Sequence, residues 1–139
     1  MGTRSLTKVY EKWEQEDEAT PLVCIYRQYD GYPEGMGKDL EEFLTDLHVV
    51  NGIGYKNTER IANGGGCLTA QLIEHLKAGQ VGNVYIYPID SRDCGEEYEY
   101  HIIVNNSKRT VILKCYDVDW ESGYLNMIFE KTFIDGEIK

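Results

Sequence analysis

Two spacings of apolar residues divide the chain. Ser5–Tyr10 and Thr20–Tyr26 read as short strands, with Leu22-Val23-Cys24-Ile25-Tyr26 almost continuously apolar. After Gly37 the period lengthens: Leu40, Phe43, Leu44 and Leu47 fall at i, i+3, i+4 and i+7. That spacing predicts a helix from Gly37 to about Val49, stopped by Asn51-Gly52. A second helix is expected from Cys67 to Ala78, with Leu68, Leu72 and Leu76 on one stripe and Gly79 behind it. Strand-like runs then return at Val84–Ile89, Tyr98–Val104, Thr110–Val118 and Tyr124–Phe133, joined by links of hairpin length. The expectation is a single α+β domain over residues 1–139. Its antiparallel sheet would have about six strands, an N-terminal hairpin plus a C-terminal four-strand meander, with two helices inserted between them.

The junction between the second strand and the first helix concentrates the unusual residues. Asp30-Gly31 and Tyr32-Pro33-Glu34-Gly35 are strong turn signals, because glycine reaches positive φ and proline presets it near −65°. A glycine-bearing turn opening a helix would offer backbone N–H groups at the positive end of the helix dipole. Arg27 and Lys38 would add charge there, and the first hairpin would bring Arg4 to the same end of the sheet. The spacing is not that of a phosphate-binding Walker loop, since Asp39 stands where that motif needs Ser or Thr. Downstream, Gly52–Asn57 and the triplet Gly64-Gly65-Gly66 suggest close backbone approach or mobility around Arg60.

Charge and composition narrow the classes. Twenty-four acidic against fourteen basic residues give a net charge of −10, which disfavours tracking along a nucleic-acid polymer. No run approaches the roughly 20 apolar residues of a membrane span. The N-terminus has no apolar secretory core, so a cytoplasmic protein with reduced cysteines is expected. Cys24, Cys67, Cys94 and Cys115 are widely spaced, His48, His75 and His101 form no metal or triad spacing, and no metal or cofactor is expected. Eleven tyrosines stand out. Tyr85 and Tyr87 would share one strand face, as would Tyr98 and Tyr100, either as cross-strand packing or as a stacking or self-association surface.

The segments Met1-Gly2-Thr3-Arg4-Ser5-Leu6-Thr7 and Arg27-Gln28-Tyr29-Asp30-Gly31-Tyr32-Pro33-Glu34-Gly35 resemble a group of small uncharacterised proteins of tailed bacteriophages and bacteria. Members begin with an MGTR-like segment and carry a DGYP-x-G-x-G turn before a helix ending in Phe-Leu, here Phe43-Leu44. The match covers the first third of the chain. It implies phage or prokaryotic origin rather than a reaction, and Met36 stands where members commonly carry a small polar residue or histidine.

Together these readings give an expected function: sequestration of a phosphorylated small molecule, such as a nucleotide second messenger of host defence, by a homo-oligomer. The ligand would sit at Gly35, Gly37 and Lys38, clamped by Arg27 and Arg4, stacked on Tyr29 or Tyr32 and flanked by Asp30. The alternatives are a cyclic-nucleotide phosphoesterase using Asp30, Glu34 or a histidine, and a protein–protein interaction module that takes no small ligand.

Overall fold

A computed structural model describes residues 2–15, 17–50 and 60–134. The first two strands, β1 (Arg4–Lys12) and β2 (Thr20–Arg27), form the expected antiparallel hairpin, with Ser5 opposite Arg27. A single wide helical turn, Pro33–Gly37, leads into α1 (Lys38–Leu44). The next elements are β3 (Leu47–Val50), β4 (Arg60–Asn63) and α2 (Gly64–Lys77). The chain then adds β5 (Val84–Tyr87), β6 (Glu96–Asn105), β7 (Thr110–Val118) and β8 (Leu125–Ile134).

The main sheet has six strands in the order β5-β2-β1-β6-β7-β8, and β3 and β4 form a separate parallel pair. All neighbours in the main sheet are antiparallel except β1 and β6, which run parallel. The α+β class is therefore as the periodicity predicts. The C-terminal meander is not. It contains only β6, β7 and β8, because β5 crosses to the far edge and pairs with β2.

The first helix is shorter than its spacing suggests. Asp46 adopts a left-handed backbone (φ 61°), and Leu47-His48-Val49-Val50 continue as β3. β-Branched Val49 and Val50 suit a strand better than a helix. Arg60 secures the stop from β4: its guanidinium donates to the carbonyls of Phe43 and, at 2.9 Å, Thr45, groups a helix end leaves unpaired. The Asn51-Gly52 stop and the Gly52–Asn57 loop of the sequence reading lie outside the described residues.

The second helix starts earlier than the expected Cys67, because Gly64, Gly65 and Gly66 are the first turn of α2. Asn106 Oδ1 accepts the Gly65 N–H at 2.9 Å. A Cβ on Gly65 would lie 2.8 Å from Glu11 Cβ, so β1 and the helix start approach too closely for any other residue.

Both helices cover one face of the sheet. Met36, Leu40 and Leu44 with Leu68 and Leu72 pack on Val9, Ile25, Tyr100, Ile102 and Leu113, all at most 1 % exposed. Each such leucine contributes about 1.5–3 kcal/mol by leaving water. Among the described residues the opposite face carries no helix. Its smaller cluster of Leu6, Cys24 and Tyr26 is roofed by Tyr87, Ile89 and Cys94.

Candidate functional site

At the junction the backbone N–H groups expected to meet an anion are occupied. Gly35 N–H donates to Tyr32 O (2.9 Å) and Met36 N–H to Asp30 O (2.8 Å). The Lys38 N–H donates to carbonyls of the wide turn itself. The glycines serve close packing: a Cβ on Gly35 would meet Asp30 O at 2.4 Å, and one on Gly31 would meet Ser5 N at 2.9 Å. Gly37 is buried beside Tyr100, whose hydroxyl donates to Gly31 O at 2.7 Å and locks the turn to the sheet. Burial raises the Tyr100 hydroxyl pKa far above the phenolic range, keeping it a donor.

Arg27 also works inside the fold. Its Nη1 donates to Asp39 Oδ2 (2.7 Å) and Met36 Sδ (3.2 Å), its Nε donates to Tyr29 O (2.8 Å), and its side chain is only 11 % exposed. Arg4 lies on the other side of the sheet. It abuts Gly95 and stands beside the Tyr26 hydroxyl, next to Tyr26 stacked flat on Tyr87 at 4.7 Å. Arg4 and Arg27 therefore share one end of the sheet but do not converge. Asp30, at φ 58°, accepts the Tyr32 hydroxyl (3.0 Å), which raises the Tyr32 pKa. Tyr29 is exposed and Lys38 projects into solvent.

Lys38 and Gly37 line a groove of about 480 Å³ between the wide turn and β8. Glu34 and Glu41 face Lys38 and Lys131 across it, Glu130 pointing with Lys114 to the other face, and Lys131 is held by Glu41 at 2.7 Å. That balance does not favour an anion.

A larger cleft of about 740 Å³ lies at the same end of the sheet, between the 92–95 segment and the 119–123 turn. Strand register explains its wall: Lys8, Glu97 and Glu99 alternate onto the helix-free face. Seven carboxylates line it, Asp93, Glu96, Glu97, Glu99, Asp117, Asp119 and Glu121, against two cations, Lys8 and Arg92. Trp120 stands among them at 84 % exposure. Inner members of the wall are fixed. Glu99, whose side chain is 7 % exposed, lies 2.7 Å from His101 Nε2 and 3.6 Å from Lys8 Nζ. Glu96 Oε1 accepts the Cys94 N–H at 2.7 Å, and Asp119 Oδ1 accepts the Glu121 N–H at 3.0 Å. His101 is flanked by Tyr10 and Tyr116 with centroids 5.7 and 4.9 Å away.

The sequence reading did not single out this cleft. Its signal was available in Asp117-x-Asp119-Trp120-Glu121, a tryptophan set in an acidic turn, and in Glu97-x-Glu99 alternating on one strand face. Among the described residues no group of three or more His, Cys, Asp or Glu is arranged to hold a metal ion. No described helix is long and apolar enough to cross a membrane. Comparison with protein-family models, with curated proteins and with solved structures gave no match.

Proposed function

We propose that this protein is a binding module whose acidic cleft docks a basic segment of a macromolecular partner. The observation that carries the reading is Trp120, almost fully exposed on a rim of seven carboxylates. A large apolar side chain in water is a ready anchor once covered, and tryptophan also attracts cations over its ring face. The surrounding carboxylates supply charge complementarity and would steer a cationic partner, in keeping with the overall charge of −10. The fixed inner carboxylates keep the wall in place before the partner arrives, which limits the ordering cost of binding.

Sequestration of a phosphorylated small molecule finds less support in the geometry. Arg27, Gly35 and the N–H groups of the turn are engaged within the fold, and the lysines of the groove beside Lys38 are matched by Glu34 and Glu41. One titration separates the readings. With Trp13→Phe leaving Trp120 as the only tryptophan, fluorescence is followed against a lysine–arginine peptide and against a panel of cyclic and ADP-ribose-type nucleotides. The expected result is a Trp120 response to the peptide that weakens steeply with salt, and none to nucleotides. Nucleotide binding with an indifferent peptide would reverse the choice.

A further inference from the structure

We propose that the outer edge of β8 accepts an extended basic protein segment as a seventh strand of the sheet. This inference rests on the reading of the acidic cleft and adds how its partner would be held. The two edges of the sheet are unlike. β5 has four residues, is preceded by Gly82 and Asn83 at positive φ, and runs into Pro88, so it offers little ladder to extend. β8 has ten residues, contains neither glycine nor proline, and among the described residues pairs only with β7. Exposed apolar side chains occur on both edges, Tyr85 and Ile86 on β5 and Met127, Ile128 and Ile134 on β8, so ladder length and not apolarity separates them.

Position makes the occupant's chemistry specific. Leu125 opens β8 and also lines the acidic cleft, so a segment leaving the cleft meets the strand edge directly. Phe129 lies on the helix side of β8, opposite Cys115, and forms one wall of the groove against Pro33. An added strand projects alternate side chains to each face, and those on the helix side would enter this groove. There they meet Glu34 and Glu41, with Lys38 and a Lys131 already paired to Glu41. The cleft thus sets the partner's charge, a basic segment, and the groove receives its helix-side residues beside Phe129. The segment's main chain would supply affinity through ladder hydrogen bonds, and its side chains would supply the charge match.

The test uses the intact protein and two synthetic ten-residue peptides of alternating lysine and valine. One is unmodified, and the other is methylated at every amide nitrogen, keeping side chains and charge but donating no ladder bonds. The unmodified peptide is expected to bind at least tenfold more tightly and to slow amide exchange across 125–134. Equal affinity for both, or protection confined to 92–99 and 117–123, would overturn strand addition while leaving the cleft reading in place. If neither peptide binds, the cleft reading fails as well. Sedimentation of the protein alone is the remaining arm. A dimer with 125–134 already protected would assign the edge to a second copy and overturn the proposal.

Discussion

Arg27 illustrates how one side chain can look like a ligand clamp and act as a strut. Its ionic partner Asp39 sits in the first turn of α1, so the pair ties the end of β2 to the helix across the junction. Arg27→Ala is therefore expected to destabilise by about 1–3 kcal/mol, the lower part of the range applying because Asp39 is partly solvated. Denaturant melts would register the loss, while peptide affinity at the cleft should stay unchanged. An unaltered midpoint would return Arg27 to the list of ligand contacts. Cys24 and Cys115 make a second residue-scale prediction. Burial pushes both thiols up from 9.0 to about 11. The unfolded chain thus ionises first, so stability is full below about pH 9 and falls as pH rises toward 11. Complete loss would be about 2–3 kcal/mol per thiol. Denaturation from pH 7 to 11 should show this slope, and Cys24→Ala with Cys115→Ala should reduce it, most clearly below pH 10, where buried tyrosines such as Tyr100 do not yet contribute.

Elements were legible wherever a local pattern was strong. The β1–β2 hairpin, the stripe of α2 and the runs of β6 to β8 all follow from spacing alone. Failures came where a long-range partner decided the outcome. Leu47 continued a helical period, yet Asp46 turned the chain and β4 offered a strand partner. Gly64-Gly65-Gly66 has little helix propensity, and only Asn106 and Glu11, distant in sequence, make it a helix start. The same logic hid the cleft: Lys8, Glu97 and Trp120 belong to different segments, and only the assembled sheet brings them together. The triplet yields an element-scale prediction of opposite signs. Gly66→Ala meets nothing within 4 Å and should stabilise by about 0.5–1 kcal/mol. Gly65→Ala must displace Glu11 and should destabilise by about 1–3 kcal/mol. Thermal melts of the two variants check it, and equal shifts would mean the triplet is not helical.

At the scale of the whole molecule, charge acts twice and in opposite directions. A net charge of −10 repels itself most in the folded state, so salt should stabilise the fold. A rise in melting temperature of about 2–5 °C between 10 and 300 mM NaCl is expected. Peptide binding at the cleft should weaken over the same range. Parallel trends in the two would show that the carboxylates are not acting as a field. Fold class reaches this scale from sequence more readily than strand order does, because spacing encodes which segments pair faces but not which segments become neighbours.

That strand order has a consequence for biosynthesis. In the ladder between β1 and β6, Lys8 faces His101, and β2, both helices and β5 are translated between them. While the chain emerges from the ribosome, the first hairpin must wait with one side of β1 unpaired until β6 leaves the exit tunnel. Leu6 and Val9, both fully buried at the end, lack the strand that flanks them on that side until then. The nascent hairpin is therefore the stretch on which a holding chaperone would act.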